Sequence, residues 1–253
     1  MAELANVTRL LKELSLKEAA NKIDVLTADA AFNNMTPLDV LEILLKCELE
    51  FRNKSNIEKR IKAANFPYEA RIEEFDFSNK ELGITKNHMN QLLELSWLQQ
   101  AYNIMFLGPP GLGKTFLSIA LGLKAIDAGY RVYFVTIDEL MKIIKTAEIS
   151  TKSSRRLKQI RNCDLLVLDE VGFLPISRQE ANHLYELVNS LYLQTSIIIT
   201  SNKGFEEWSD FLGDSTITAA ILDRLAHQCE IFSMRGPSWR IEHRKTIFDR
   251  NIM

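Results

Sequence analysis

The sequence has few cysteines, almost no excess of either charge and no long run of apolar residues. Its 253 residues include three cysteines, whose wide spacing in apolar surroundings predicts reduced, packed thiols rather than a zinc-binding C-x-x-C pair. The four histidines are scattered without H-E-x-x-H spacing, so we expect no structural metal. With a formal net charge of −2, the overall charge alone does not point to nucleic-acid binding, so any basic surface must be local.

Signals for export or membrane insertion are also missing. The N-terminus carries acidic residues early and lacks the basic start and apolar block of a signal peptide. No apolar stretch reaches the length of a membrane span. We therefore expect a cytoplasmic protein with no membrane partner, and a hydrophobic fraction of 46% is enough for a sizeable core.

The first part of the chain is predicted to be helical and separate. This divides the protein into a small all-helical N-terminal domain (residues 1–66) and a larger domain (residues 67–253). Apolar residues recur on one predicted helical face at Val7, Leu10, Leu11 and Leu14. Ser55 and Glu58, a serine three residues before a glutamate, predict the start of another helix, which Pro67 ends.

From residue 100 onward, short apolar runs alternate with helical patterns. The runs predict five strands, at residues 103–107, 132–135, 165–169, 196–200 and 230–234. Because polar residues do not alternate along them, the runs suit a parallel sheet that is covered on both faces. The predicted fold class is therefore α/β, with a five-stranded parallel sheet sandwiched by helices.

A loop rich in glycine and proline follows the first predicted strand. Its sequence, GPPGLGKT, matches G-x-x-x-x-G-K-[ST] between a strand and a helix, which predicts a P-loop that binds ATP. Backbone N–H groups would surround the phosphates at the positive end of the helix. Lys114 would reach the β- and γ-phosphates, and the Thr115 hydroxyl would coordinate Mg²⁺. The candidate cofactor-binding residues are Gly108, Pro109, Pro110, Gly111, Leu112, Gly113, Lys114 and Thr115.

Two acidic residues end the third predicted strand. Asp169 would lie beside Thr115 and hold the Mg²⁺, as a Walker B carboxylate does. Glu170 would polarise the attacking water as a general base. Asn202 follows the fourth predicted strand, where it would either contact the γ-phosphate or simply start a turn. The sequence therefore predicts a P-loop NTPase core that converts ATP and water to ADP and phosphate and depends on Mg²⁺.

In this order, the motifs resemble those of the AAA+ ATPases. Five blocks, GPPGLGKT, LLVLDEVGFLP, SNKGFEEW, AAILDRLAHQ and RGPSWR, resemble more closely the IstB family, ATPase helpers of insertion-sequence transposition that are related to DnaC helicase loaders. The resemblance covers roughly residues 55–245. It implies an AAA+ core without a C-terminal lid domain.

The resemblance also implies roles that the spacing does not give. Asn202 would be the sensor 1 residue, Arg224 an arginine finger that enters the neighbouring subunit's site, and Arg240 a sensor 2-like arginine. Without the resemblance, Arg224 would be a surface partner of Asp223, and Arg240 part of a basic tail. An arginine finger that acts on a neighbour implies a homo-oligomer with nucleotide at the subunit junctions.

Two runs of the sequence are locally basic. The charge of these runs alone favours the interpretation that they are the solvated faces of helices. Repeated around a multimer, however, the second run would form a basic track for non-specific, salt-dependent binding of duplex DNA. The candidate DNA-binding residues are Arg52, Lys54, Lys59 and Arg60 in the first run and Lys152, Arg155, Arg156 and Lys158 in the second.

The expected function is an ATP-dependent, duplex-binding helper of transposition that multimerises on target DNA and recruits the cognate transposase. Two alternatives stay open: a DnaC-like helicase loader that prefers single-stranded DNA, and a nucleotide-gated scaffold that coats DNA. The N-terminal helices would contact a neighbouring subunit or the transposase, or would merely cover the ATPase core.

Overall fold

The computed structural model describes residues 2–79, 81–173 and 175–244. The chain divides into two compact units, residues 1–59 and residues 60–253. The predicted domain boundary between residues 66 and 67 lies slightly further along the chain and stays a prediction.

The first unit is built from helices around a small apolar core. Its helices are α1 (Ala2–Glu13), α2 (Lys17–Asn33) and the larger part of α3 (Pro37–Ala64). The core is formed by Ala19, Ile23 and Leu44, with Leu4 and Leu11 of α1 packed against it.

Two details of this unit differ from the sequence prediction. The separate helix predicted to start at Ser55 is wrong, because α3 continues without interruption and no helix-breaking residue precedes the serine. The predicted apolar face of α1 is also wrong except for Leu11. The core side contains Leu4 and Leu11, two helical turns apart, whereas Val7, Leu10 and Leu14 are 41%, 43% and 69% exposed.

The second unit contains the sheet, and the predicted strands are confirmed with ends that differ by at most two residues. The strands are β1 (Asn103–Leu107), β2 (Val132–Thr136), β3 (Leu165–Val171), β4 (Ser196–Ser201) and β5 (Cys229–Ser233). They are all parallel, in the order β2-β3-β4-β1-β5. In this order β4 lies between β3 and β1.

Helices cover the sheet and connect its strands. They are α4 (Lys86–Leu93), α5 (Ser96–Gln99), α6 (Lys114–Asp127), α7 (Ile137–Thr146), α8 (Thr151–Arg161), α9 (Arg178–Leu191), α10 (Trp208–Leu212), α11 (Ser215–His227) and α12 (Trp239–Glu242). Short 3₁₀ turns occur at Ile72–Glu74 and Phe205–Glu207. Every residue of β1 and β4 is buried, as expected for central strands of a sheet packed on both faces.

The starts of α7 and α9 are capped differently. Ser177 and Glu180 form a reciprocal capping box at α9, and Lys145 beside Glu180 holds the pKa of that carboxyl at about 2. Thr136 caps α7 by accepting from the Glu139 N–H, but the Glu139 carboxylate binds Arg156 instead of the N-cap backbone.

The remaining composition-based expectations concern thiols and membranes. The three cysteines are free, and burial raises the pKa of both Cys163 and Cys229 to about 12, so neither thiol is reactive near neutral pH. Throughout the described ranges, every helix is too short or too polar to cross a membrane.

Candidate active site

The P-loop connects the end of β1 to the start of α6. The Gly108 N–H donates to the Ser201 carbonyl at 3.0 Å, which joins the loop to the end of β4. Gly113, the N-cap residue of α6, has no side chain that could cap the helix. The first N–H groups of α6 therefore lack a side-chain acceptor and can bind an anion such as a phosphate group.

Neighbouring segments enclose the loop and leave no space for side chains at two of its glycines. Gly108 has a φ of +143°, and a Cβ there would overlap the backbone carbonyl of Met234. Gly113 has a φ of +84°, and a Cβ there would overlap the ring of Phe75. Glycine is thus required at both positions by backbone conformation and by packing.

The lysine of the loop is held by the loop itself. Lys114 Nζ donates to the carbonyl oxygens of Gly108 at 2.5 Å and Pro109 at 2.7 Å. Burial, with a smaller contribution from the positive charge of Arg240, lowers the pKa of Lys114 to about 8, although the negative charge of Asp169 partly opposes this shift. Near neutral pH the site therefore contains a cation that gains by meeting an anionic ligand.

This pKa gives a pH dependence for ATP binding. Bound phosphates raise the pKa of Lys114, so above about pH 8 each binding event must take up a proton, and the ATP dissociation constant should rise by up to about tenfold per pH unit. Isothermal titration calorimetry between about pH 7 and about pH 9.5, in two buffers of different ionisation enthalpy, measures both effects.

The matched control for this pH dependence is Lys114→Arg, which keeps its charge over the whole range. The variant should bind ATP with little pH dependence and no proton uptake. A wild-type dissociation constant that stays constant up to about pH 9.5 would contradict the prediction that Lys114 binds the phosphates.

The predicted neighbours Thr115 and Asp169 are in contact. Thr115 Oγ1 donates to the two carboxylate oxygens of Asp169 at 2.9 and 3.2 Å. Asp169 is 4% exposed, and its Oδ1 also accepts from the hydroxyl of Thr200. Hydroxyl and carboxylate oxygens are the ligands that Mg²⁺ prefers, so Thr115 and Asp169 fit a magnesium site beside the P-loop.

Glu170 and Asn202 lie at the same edge of the sheet. Both side chains are exposed, Glu170 near the end of β3 and Asn202 directly after β4, the strand between β3 and β1. Glu170 adopts a left-handed backbone with φ +62°, which is uncommon for a residue other than glycine. Glu170 thus presents an exposed carboxylate at the edge of the sheet where the P-loop begins.

The C-terminal candidate Arg240 also lies at this edge. It belongs to α12, whose first residue, Trp239, donates its N–H to the Gly111 carbonyl at 3.0 Å. The positive charge of Arg240 also helps to lower the pKa of Lys114. The structure therefore brings Arg240 to the P-loop, at the edge of the sheet where Thr115, Asp169, Glu170 and Asn202 also lie.

The structure does not bring Arg224 to the P-loop of its own chain. The carbonyl of Leu225, the next residue, accepts from the Asn103 side chain at 2.9 Å, which places it at the start of β1. The P-loop follows the end of β1, about 16 Å away at 3.3 Å per residue. Arg224 lies over the Tyr185 ring at 4.8 Å and donates to Asn189 Oδ1 at 2.9 Å. It thus contacts α9 rather than its sequence neighbour Asp223.

The second basic run, residues 142–161, forms the end of α7 and all of α8, in the connection between β2 and β3. Lys152, Arg155 and Lys158 are exposed on α8, and none of them forms an ion pair with another described residue. Arg156 is different, because its guanidinium binds the Glu139 carboxylate at 2.6 Å. Three of the four candidates in this run therefore present free cations.

The cationic side chains of the first basic run are less accessible to a ligand than those of the second. Arg52 pairs with Glu48 at 2.8 Å and donates to the Ser15 carbonyl at 3.0 Å. Arg60 is half-buried, whereas Lys54 and Lys59 are exposed on α3. A surface for a polyanion is therefore better developed on α8 than here.

Sequence reasoning missed one residue of the site, Thr200. It is 2% exposed and contacts both Asp169 and the backbone of Glu170. In the sequence, Thr200 is visible only as a threonine that ends the apolar run SIIIT, and the sequence does not reveal which neighbouring strand its hydroxyl contacts.

Comparison with known proteins gives a family for the whole arrangement. The family model described as IstB-like ATP binding protein matches residues 9–247. The expected extent of the resemblance, residues 55–245, was therefore too short, since the family also includes most of the N-terminal helices.

An ATP-binding protein of insertion sequence IS21 from Pseudomonas aeruginosa is 36% identical over 236 residues, covering 93% of this chain and 89% of the relative. An IS21-like ATP-binding protein from Bacteroides fragilis is 36% identical over 237 residues, covering 94% and 90%.

Solved structures show the same fold at lower sequence identity. The DnaC helicase loader has a TM-score of 0.54 at 20% identity and covers 66% of this chain and 97% of its own. The replication initiator DnaA, solved with AMPPCP and single-stranded DNA, has a TM-score of 0.52 at 21% identity and covers 66% and 50%. The larger unit has the AAA+ P-loop fold of these proteins, and the chain belongs to the family of IstB-like ATP-binding proteins of insertion sequences.

Proposed function

We propose that this protein is a Mg²⁺-dependent ATPase that binds duplex DNA without sequence preference, assembles on it with ATP and recruits the transposase of an insertion sequence. The observation that carries the proposal is the contact of Thr115 with Asp169 beside Lys114, with the exposed carboxylate of Glu170 at the same edge of the sheet. Hydrolysis would then dismantle the assembly.

Each residue of the site would have its own role in ATP hydrolysis. When bound, Mg²⁺ would neutralise charge that develops on the phosphates. Thr115 and Asp169 would hold the ion, and Lys114 would exchange its two loop carbonyls for phosphate oxygens. Glu170 would accept a proton from the attacking water, while Asn202 and Arg240 would orient the water and the γ-phosphate.

The position of Arg224 supports assembly. Leu225, the residue after Arg224, contacts the start of β1, about 16 Å along that strand from the P-loop, so we do not expect Arg224 to reach phosphates bound by its own chain. Arg224 would instead complete the site of another copy, and the junction between copies would then depend on nucleotide. Because a ligand that binds the assembled state more tightly than the free subunit favours assembly, ATP would drive multimerisation.

The DNA surface in this proposal is the exposed face of α8. Lys152, Arg155 and Lys158 recur at three-residue spacing, and their charges are free to meet phosphates. A helix that contacts only the DNA backbone binds without base readout, and its affinity falls steeply with salt. Leu38, Leu41, Leu45 and Leu49 are exposed along α3, which supports a protein-contact role for the N-terminal helices, toward a neighbouring subunit or the transposase.

The test is fluorescence anisotropy with a labelled duplex of arbitrary sequence and with its single strand, each with and without ATP. We expect cooperative, ATP-dependent binding that favours the duplex. Lys152→Glu combined with Arg155→Glu should weaken it at least about tenfold and reduce the slope of log affinity against log salt by about two per subunit. The matched control is Lys86→Glu with Lys124→Glu, which reverses two exposed charges on α4 and α6.

Each other outcome points elsewhere. Preference for the single strand would replace the proposal with a helicase loader. Equal loss in the control variant would mean that total charge, rather than α8, binds the DNA. Absence of binding to either form would remove the DNA track altogether.

A further inference from the structure

Thr200 occupies an unusual place in the sheet. On one side it pairs with Phe106 of β1. On the β3 side, Ile199 pairs with Leu168 and Ser201 with Val171, so both Asp169 and Glu170 lie opposite the single residue Thr200. This is a β-bulge, in which an extra residue bends one strand and redirects its side chains.

The hydroxyl of Thr200 bonds both residues of the bulge. Thr200 Oγ1 donates its hydrogen to Asp169 Oδ1 and accepts the Glu170 N–H at 3.0 Å. A hydroxyl has one hydrogen to donate and can accept at the same time, so a single group satisfies both partners. Glu170, whose N–H takes part in this bond, is also the residue with the left-handed backbone.

We infer that Thr200 is a positioning residue for the two carboxylates. Through the Asp169 carboxylate it fixes the oxygens that face Thr115, and through the Glu170 peptide it keeps that side chain projecting from the sheet edge. Without the hydroxyl, Asp169 would keep only its bond to Thr115, and the Glu170 N–H would lose its acceptor. This inference rests on the proposed roles of Asp169 and Glu170 in ATP hydrolysis.

The variant that tests the inference is Thr200→Val, which keeps the branched shape of the side chain and removes the hydroxyl. We expect kcat for ATP to fall about 10- to 100-fold, as found when groups that orient metal ligands are removed. KM for ATP should change less than about threefold, because the P-loop is untouched. The Mg²⁺ concentration needed for half-maximal activity should rise.

A second readout does not depend on activity. In the nucleotide-free protein, amide hydrogen exchange followed by NMR should show the Glu170 amide exchanging at least about tenfold faster in Thr200→Val. Thr200→Ser retains the hydroxyl and should restore both kcat and slow exchange. The matched control is Thr195→Val, which removes another buried hydroxyl, bonded to the Cys163 carbonyl at 3.1 Å and remote from the site.

Each outcome has a distinct meaning. Unchanged kcat in Thr200→Val, or loss of kcat that Thr200→Ser does not restore, would overturn the role of Thr200. Parallel loss of ATP binding in Thr200→Val would mean general damage to the site and would also overturn it. A wild-type protein that fails to hydrolyse ATP would instead overturn the proposed function.

Discussion

Glu170→Gln is expected to lower kcat for ATP hydrolysis by about 10³-fold, within the range that a general base contributes. Glutamine has nearly the same shape and keeps the backbone N–H that binds Thr200, so the bulge should survive. The amide cannot accept the proton of the attacking water. ATP affinity should remain within about threefold of the wild type, because Lys114 and the α6 N-terminus are unchanged.

The same variant separates a hydrolysis-dependent helper from a scaffold. If hydrolysis dismantles the assembly, Glu170→Gln should stay on duplex DNA with ATP, which anisotropy after dilution would show as a slow decay. Glu186→Gln is the control, since it removes one exposed carboxylate from α9. Normal dissociation of Glu170→Gln, or transposition at the wild-type level, would favour the scaffold.

Arg224→Ala should also reduce hydrolysis by about 10³-fold, the lower end of the range for an arginine finger. ATP binding by the single chain should be retained, because Arg224 lies at the opposite end of β1 from the P-loop. Steady-state ATPase assays in the presence of duplex DNA measure the first effect, and calorimetry measures the second.

Mixing the two inactive variants tests whether the arginine acts between subunits. Arg224→Ala retains Glu170, and Glu170→Gln retains Arg224, so a junction between them in one order holds both groups. In an equal mixture about a quarter of head-to-tail junctions should be complete, and activity should return in that proportion. A mixture no more active than its components would contradict action between subunits.

The control for Arg224 must separate the guanidinium from its packing. Asn189→Ala removes the hydrogen bond at 2.9 Å but leaves the charge and the contact with Tyr185. It should reduce hydrolysis far less than Arg224→Ala. Equal losses would show that α11 is simply misplaced.

The sheet and the P-loop could be predicted because their signals are local. An uninterrupted apolar run such as residues 103–107 suits a buried parallel strand whatever its neighbours, and G-x-x-x-x-G-K-[ST] fixes the loop by spacing alone. The contact of Thr115 with Asp169 followed from the P-loop pattern together with the acidic end of the third predicted strand.

Features that depend on distant partners could not be predicted. Thr200 faces Asp169 only because β3 bulges, and a bulge is a property of two paired strands. In the sequence, Arg156 is one of several basic residues of the second run. The sequence does not show that it pairs with Glu139, which belongs to α7. The Ser55/Glu58 pattern failed for a related reason, since helix-starting spacing has no effect inside a helix that already runs through it.

The packing around the P-loop has a consequence for how such sequences change over evolutionary time. Met234 and Phe75 exclude side chains at Gly108 and Gly113 whether or not a nucleotide ever binds. A lineage that had lost ATP turnover would therefore retain these glycines, because replacing them would disturb the fold. Its loss of activity would be recorded first at Glu170, whose exposed side chain the packing does not require.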